Sequence, residues 1–243
     1  MAYKKALITF GDEKYEKSIS LLEKTARENG VESFTAYGPD SYTDEFHRKN
    51  RHILNQPRGK GYWLWKPWII LQEFDKLSEG DVVMYSDAGL YAINDVSPLY
   101  ETCDERMVFK IPDTHYIREW TKKDCFVLTE CDTPEYQNAR MVNGAVSLWR
   151  VSNGNRLFLE EWLRICKDSR AITDMPNMFG PNYFGFKAHR HDQSILSLLA
   201  KKRGFEVYRD PTQYGQAERT QFENSPYGQI FWHHRNFKHP QPK

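Results

Sequence analysis

The apolar residues at the start of the chain form two short continuous runs with a helical repeat between them. Residues 5–10 and residues 31–37 each predict a buried strand, and the first of these runs ends at Gly11. From residue 13 to residue 29 the apolar positions recur at helical spacing, and Gly30 is a typical residue at a helix end. This order predicts a right-handed strand–helix–strand crossover and the start of a parallel sheet.

Apolar runs and helical repeats alternate through the rest of the chain as well. They predict strands at residues 81–87, 106–111, 143–149 and 205–208 and helices at residues 66–74, 152–167 and 191–202. The polar stretch 40–60 is compatible with a helix or a loop, and the Pro- and Gly-rich stretch 175–185 predicts a loop. No repeat or linker interrupts this pattern, so we expect a single α/β domain over residues 1–243, with a mostly parallel sheet flanked by helices.

Overall charge and composition limit the classes of partner. The chain has 243 residues, of which 40% are apolar, and this is enough for a sizeable core. Its 34 basic and 33 acidic residues leave a net charge of +1. That balance argues against non-specific nucleic-acid binding, because such binding needs an excess of positive charge. A small anionic ligand is still compatible, since a few local cations are sufficient to hold a phosphate.

The cysteines and the apolar runs bear on the location of the protein. The 4 cysteines show no CxxC pair and no zinc-ligand spacing. The apolar start of the chain is too short for a signal peptide, and no apolar run approaches the roughly 18–20 residues of a membrane span. We therefore expect a soluble, cytoplasmic protein with reduced thiols, for which a peripheral association with a membrane is left open.

Polar residues follow the predicted strands at the edge of the sheet where ligands bind in open α/β folds. Two clusters, Thr9-Phe10-Gly11 and Ser86-Asp87-Ala88-Gly89, stand at strand ends, and a third, His191-Asp192-Gln193, stands at the entry to a predicted helix. Asp87 follows a buried run, so we expect its carboxylate at the edge of the cleft, where it can bind a divalent metal ion or a ribose hydroxyl. The alternative is that Asp87 only stabilises the turn after the strand.

Other candidates stand at helix starts and near the end of the chain. Asp192 either caps the last predicted helix or serves as a base or nucleophile. Lys66, at the start of an earlier helix, either meets a phosphate or extends over the surface. His233 and His234 are adjacent, so on an extended chain at most one of them enters the cleft. That imidazole can complete a metal site with Asp87, and the alternative is a solvated pair.

The order of these motifs resembles that of the GT-A nucleotide-sugar glycosyltransferases. The resemblance is to a group of small bacterial and viral enzymes of surface-polysaccharide assembly, and it extends over most of the chain. Four stretches carry it: residues 61–70 (GYWLWKPWII), 80–89 (GDVVMYSDAG), 143–150 (NGAVSLWR) and 189–199 (HRHDQSILSLL). The resemblance implies a Rossmann-like GT-A fold with a mixed, mostly parallel sheet.

In that family the second stretch is the DXD region, whose carboxylates contact the ribose and a Mn²⁺ or Mg²⁺ ion that bridges the diphosphate. Asp87 matches the first carboxylate, whereas Gly89 stands at the position of the second. The family's late metal-binding histidine corresponds to His233 or His234, of which we favour His234. Because the motif is incomplete, Asp87 needs such a partner to hold the metal, or the protein depends less on a metal.

The resemblance also assigns the other clusters. Asp192-Gln193 resembles the pair that faces the donor sugar in several such families, and if transfer is inverting, Asp192 is the first choice for the base that the acceptor hydroxyl needs. A retaining enzyme needs no base at that place, and the sequence does not separate the two. A metal ion or cationic side chains such as Lys66 and Arg235 can neutralise the leaving diphosphate. The residues implied for the nucleotide sugar are Thr9, Phe10, Gly11, Lys66, Ser86, Asp87, Ala88 and Gly89, and those implied for the sugar and the acceptor are Asn143, Gly144, His191 and Gln193.

The function implied is transfer of a sugar from a UDP- or GDP-sugar to a saccharide or other hydroxyl acceptor, in polysaccharide or glycan assembly. Residues 1–100 are expected to bind mainly the nucleotide and residues 101–243 mainly the acceptor. The alternative is a non-catalytic protein that binds a carbohydrate or nucleotide on a degenerate GT-A fold, which the missing second carboxylate supports. The donor sugar, the nucleobase, the acceptor, the stereochemical outcome (inverting or retaining) and the oligomeric state are not predicted.

Overall fold

The structure is a computed structural model that describes residues 3–111, 115–216 and 222–234. Its strands belong to one large and one small sheet. In chain order they are β1 Lys5–Phe10, β2 Ser33–Tyr37, β3 Val82–Ser86, β4 Leu90–Ala92, β5 Arg106–Lys110, β6 Val142–Arg150, β7 Val207–Tyr208 and β8 Phe231–His233.

The large sheet has six strands in the order β2-β1-β3-β6-β5-β7. β1 pairs in parallel with β2 and β3, and β5 pairs in parallel with β7, whereas β6 runs antiparallel to both β3 and β5. All of these strands except β6 therefore point the same way, which confirms the mixed, mostly parallel sheet. β4 and β8 form the small antiparallel sheet.

Helices connect most of the strands. They are α1 Glu16–Glu28, α2 Asp44–Leu54, α3 Gly59–Tyr62, α4 Trp65–Phe74, α5 Ser97–Thr102, α6 Ile117–Trp120, α7 Lys123–Leu128, α8 Pro134–Gln137, α9 Asn153–Cys166, α10 Ser169–Ile172, α11 His191–Lys202 and α12 Gln213–Gln216, with two 3-10 turns at Glu13–Tyr15 and Pro39–Ser41. No helix in the described part of the chain is long and apolar enough to cross a membrane.

Alternate side chains of the large sheet face two separate apolar layers, because the side-chain period of a strand is two. On one face, Ile8 and Tyr85 pack in the layer that contains α4, α9 and α11. On the other face, Leu7 and Met84 pack in the layer that contains α1, α5 and the small sheet. Both layers are apolar, which explains why β1 and β3 appear in the sequence as continuous apolar runs.

The carboxyl ends of β1 and β3 meet at one edge of the sheet because the two strands are parallel neighbours. β6 runs the other way, so its first residues reach the same edge. There the backbone N–H of Asp87 donates to the carbonyl of Ala145 over 2.8 Å. This topology therefore brings three separate polar motifs of the sequence, after β1, after β3 and at the start of β6, to a common cleft.

The structure shows the secondary structure of two segments for which the sequence pattern gives none or leaves a choice. The 40–60 stretch contains α2, and the hydroxyl of Thr43 caps this helix by accepting the N–H of Phe46. The segment after residue 208, for which the sequence pattern predicts no strand or helix, contributes β8. The four cysteines are unpaired and buried.

Candidate active site

The centre of the cleft is a buried ion pair next to a partly exposed carboxylate. Lys66 Nζ lies 2.7 Å from Asp192 Oδ2 and 3.7 Å from Asp87 Oδ1. It also donates to the carbonyl of Gly144 over 2.8 Å. The side chains of Lys66 and Asp192 are each 4% exposed, whereas that of Asp87 is 32% exposed. Asp87 is therefore the member of this cluster that is most open to solvent.

Two helix starts position the ion pair. Lys66 is the second residue of α4, and Asp192 is the second residue of α11. The residue at the cap position of α11 is Arg190, which makes no side-chain capping bond, so Asp192 does not act as the cap that the sequence allows. Its carboxylate points instead at Lys66, and the partial positive charge of the helix N-terminus stabilises it further.

The protonation of the pair follows from burial and mutual attraction. Burial raises the pKa of Asp192 to about 6, although the neighbouring Lys66 ammonium acts in the opposite direction. Burial alone would lower the pKa of Lys66, but the carboxylates of Asp192 and Asp87 outweigh it and raise that pKa. At pH 7 Asp192 is therefore ionised and Lys66 is charged.

Tyr85, the fourth residue of β3, fixes the carboxylate of Asp87. Its hydroxyl donates to Asp87 Oδ1, and its ring lies 4.9 Å from Lys66 Nζ in a cation–π contact. Burial, followed by the charge of Asp87, raises the pKa of Tyr85 well above its usual value. The phenol therefore stays protonated and acts as a hydrogen-bond donor.

Two cavities adjoin at Asp87. The first, which we call the β1 cavity, has a volume of about 560 Å³ and lies between the end of β1 and the loop after β3. The second, the β6 cavity, has a volume of about 450 Å³ and lies between the start of β6 and the start of α11. Trp63, Asp87 and His233 line both. Their volumes are typical of sites for small molecules.

The predicted site residues divide between these cavities. Those in the β1 cavity are Phe10, Gly11, Asp87, Ala88, Gly89 and His234. Those in the β6 cavity are Lys66, Asp87, Asn143, Gly144, His191, Asp192 and Gln193. Thr9 and Ser86 line neither cavity and are buried, because strand alternation turns them away from the face that Phe10 and Tyr85 occupy. Arg235 lies outside the described residues.

Asn143 and its partner Asp210 form a hydrogen-bonded polar wall of the β6 cavity. The Asn143 amide donates to Asp210 Oδ2 over 2.6 Å, and its oxygen accepts the N–H of Ala145 over 2.7 Å. Burial raises the pKa of Asp210, whose other oxygen accepts the N–H of Thr212. Sequence reasoning missed Asp210 because it stands between Arg209 and a proline, a pattern typical of an ordinary turn.

His191 and Gln193 flank Asp192 and are held by backbone carbonyls. His191 Nδ1 lies 2.7 Å from the carbonyl oxygen of Ile172, and burial lowers the pKa of this imidazole to about 4, so the ring is neutral at pH 7. Gln193 donates to the carbonyl of Val142 over 2.9 Å. A Cβ at Gly144 would lie 3.0 Å from Gln193 Cβ, so glycine permits this close packing.

The side chains near Asp87 show whether the protein can supply ligands for the Mn²⁺ or Mg²⁺ ion that the resemblance implies. The backbone N–H of His234 donates to the carbonyl of Gly89, and a Cβ at Gly89 would lie 3.7 Å from His233 Nε2. Among the described residues, no group of three or more His, Cys, Asp or Glu side chains is arranged to hold a metal ion. The described residues thus do not supply a complete protein ligand set for the metal that the resemblance implies.

Comparisons with known proteins bear on the fold. No protein-family model and no curated protein sequence matches the chain. Among solved structures, mouse xyloside xylosyltransferase 1 is similar over 99% of this chain and 100% of its own, at 10% identity and a TM-score of 0.52. The galactosyltransferase LgtC, in complex with donor and acceptor sugar analogs, is similar over 95% of this chain and 87% of its own, at 15% identity and a TM-score of 0.51.

A third similar structure is a glycosyltransferase involved in the glycosylation of the major capsid of PBCV-1. It covers 95% of this chain and 94% of its own, with 13% identity and a TM-score of 0.50. At these identities the likeness establishes the fold. The chain has the fold of the GT-A-type glycosyltransferases, as the resemblance in its sequence predicts.

Proposed function

We propose that the protein transfers a glycosyl group from a nucleotide sugar to a hydroxyl acceptor. The observation that carries the proposal is the buried Lys66–Asp192 pair, which lies beside Asp87 where the two cavities adjoin. In a GT-A-type fold this point is at the carboxyl ends of the parallel strands, where ligands bind in open α/β sheets. A donor in one cavity and an acceptor in the other would meet there.

The β1 cavity is the proposed donor site. Its wall includes Phe10 and Trp65, whose rings stack at 3.9 Å, and Tyr15 borders the same space. Aromatic walls of this kind favour the flat apolar face of a nucleobase. Asp87 would then accept hydrogen bonds from the ribose hydroxyls.

Asp192 is the proposed catalytic base, the group that accepts the proton of the acceptor hydroxyl. As the anomeric carbon separates from the diphosphate, it gains oxocarbenium character, and the acceptor oxygen forms the new bond. Asp192 would accept the hydroxyl proton, while the bonding electrons leave with the nucleoside diphosphate. A pKa of about 6 suits this role, because the carboxylate is ionised at pH 7 and is more basic than an exposed one. Lys66 would hold the carboxylate in place.

Calorimetric titration with UDP, GDP, UDP-glucose and GDP-mannose, with and without Mn²⁺, tests the donor site. We expect the wild-type protein to bind either the uracil nucleotides or the guanine nucleotides. Asp87→Asn should bind the same nucleotides at least tenfold more weakly, with an unchanged Tm. Asp104→Asn is the matched control, because this exposed aspartate precedes β5 at the opposite edge of the sheet. Equal affinities for Asp87→Asn and wild type would contradict the assignment of Asp87.

A second candidate function is binding of a nucleotide or carbohydrate without turnover. Gly89 at the position of the second carboxylate and the incomplete metal-ligand set favour it. The two functions differ in one observable. A protein that only binds a nucleotide or a carbohydrate releases no nucleoside diphosphate when a nucleotide sugar and acceptors are added, whereas a transferase does.

A further inference from the structure

One segment of the cleft has an unusual backbone. Residues 59–63 include the short element α3, but they have five consecutive positive φ angles, of 56°, 50°, 95°, 53° and 60°, so we call them the left-handed turn. Three of these residues, Lys60, Tyr62 and Trp63, are not glycine. Left-handed conformations are unfavourable for residues with a Cβ, and they persist where the surrounding structure enforces them, most often at functional sites.

The two glycines of the turn make its packing possible. A Cβ at Gly59 would lie 2.4–2.6 Å from three carbons of the Trp63 ring, and a Cβ at Gly61 would lie 2.6 Å from Leu54 Cα. Both distances are too short for real side chains. The sequence Gly59-Lys60-Gly61 thus allows the Trp63 ring to pack directly on the backbone of its own turn, next to the end of α2.

Trp63 connects the turn to both members of the buried ion pair. Its carbonyl accepts the N–H of Lys66 over 3.0 Å. Its ring stacks on the imidazole of His191 at 5.5 Å and 24°. His191 has a φ of 52° and directly precedes Asp192. The left-handed turn and His191, which also has a left-handed backbone, therefore pack against each other through the ring of Trp63.

The same turn borders the proposed donor site at its other end. Lys60 Nζ lies 2.6 Å from Asp12 Oδ2, and both residues line the β1 cavity together with Gly59. Trp63 lines both cavities. The turn thus extends from the loop after β1 to the start of α11, and Trp63 occupies the place where one cavity passes into the other.

We propose that Trp63 positions the donor sugar. This inference rests on the proposed function: with the nucleotide in the β1 cavity, the bond between sugar and diphosphate must lie where the cavities adjoin, beside Trp63. Unlike the indoles of Trp65, Trp149 and Trp162, that of Trp63 donates no hydrogen bond to the described residues. Its N–H is available to a sugar hydroxyl or a diphosphate oxygen.

The specific consequence is that Trp63 distinguishes a nucleotide sugar from the nucleotide alone. Titration of Trp63→Ala with UMP, UDP and UDP-glucose, or with the guanine series if the wild type prefers it, measures this. We expect the nucleotide sugar to bind at least tenfold more weakly than to wild type and the monophosphate to bind within twofold. Trp63→Phe keeps an aromatic ring but loses the N–H, so its affinity for the nucleotide sugar should lie between those of wild type and Trp63→Ala.

Two glycine variants separate this role from a purely structural one. Gly204→Ala places a Cβ at a φ of 63° with no atom within 4 Å, so it imposes the same backbone conflict outside both cavities. It should lower Tm and leave all affinities unchanged. Gly59→Ala displaces the Trp63 ring and should reproduce the selective loss for the nucleotide sugar.

The outcomes separate this inference from the proposed function. An equal loss of all three ligands in Trp63→Ala, or no loss of any, would overturn the role of Trp63 and leave the proposed function standing. The same holds if Gly59→Ala behaves like Gly204→Ala. If the wild-type protein binds neither the uracil nor the guanine nucleotides, the proposed function fails and the inference fails with it. A loss confined to the nucleotide sugar supports both.

Discussion

At the scale of single residues, two features of the surroundings of Asp192 change its pKa in opposite directions. Burial favours the protonated acid, whereas Lys66 at 2.7 Å favours the carboxylate. The result is a pKa of about 6, which is high enough for useful basicity and low enough for ionisation at pH 7. Neither burial nor the distance to Lys66 is visible in the sequence, where Asp192 looks like a helix cap.

The pH dependence of the rate tests this assignment. Because the base must be ionised, we expect kcat/KM to fall about tenfold per pH unit below about pH 6 and to level off above pH 7. Steady-state rates at fixed ionic strength between pH 4.5 and 8 measure it. Asp192→Asn should retain a low rate without this inflection. An inflection that persists in Asp192→Asn would assign the titration to another group.

At the scale of elements, the cleft depends on the contact between the first turns of α4 and α11. Removing one partner of a buried ion pair leaves an uncompensated charge, so Lys66→Met should lower the free energy of unfolding by about 3–5 kcal/mol. Urea denaturation at pH 7.5 measures the change. The double variant Lys66→Met/Asp192→Leu should recover most of this loss, because no charge is then left buried.

The matched control for that experiment is Lys24→Met. Lys24 is 73% exposed and pairs with Glu28 on the surface of α1, so the change should cost less than about 1 kcal/mol. If Lys66→Met is as mild as Lys24→Met, the pair does not contribute to the packing of the two helices, and its interpretation as a preorganised catalytic pair loses its physical basis.

The elements differ in how far the sequence predicts them. β1 and β3 are continuous apolar runs because both faces of the sheet are covered, and their bounds follow from the sequence to within a residue. β8 has only three residues and exists by pairing with β4, far away in the chain. Such a contact leaves no local pattern. The left-handed turn is likewise hidden, since propensity alone argues against positive φ at Tyr62 and Trp63.

At the scale of the whole molecule, the sheet topology assembles the site. The antiparallel β6 brings its amino end to the carboxyl ends of β1 and β3, so Gly144 meets Lys66 although 78 residues separate them. The sequence predicts this edge through its strand ends. It does not predict which strand-end side chains enter the cleft: Asp87 does, whereas Thr9 and Ser86 point into the sheet layers.

Release of nucleoside diphosphate in the presence of acceptors tests the central claim most directly. The wild-type protein, supplied with the nucleotide sugar that it binds and a panel of saccharide acceptors, should release diphosphate and form a glycoside of the mass expected for one transfer. Asp192→Asn should bind that donor with similar affinity and turn over at least a hundredfold more slowly. A protein that binds the donor and releases no diphosphate with any acceptor would contradict the claim of catalysis.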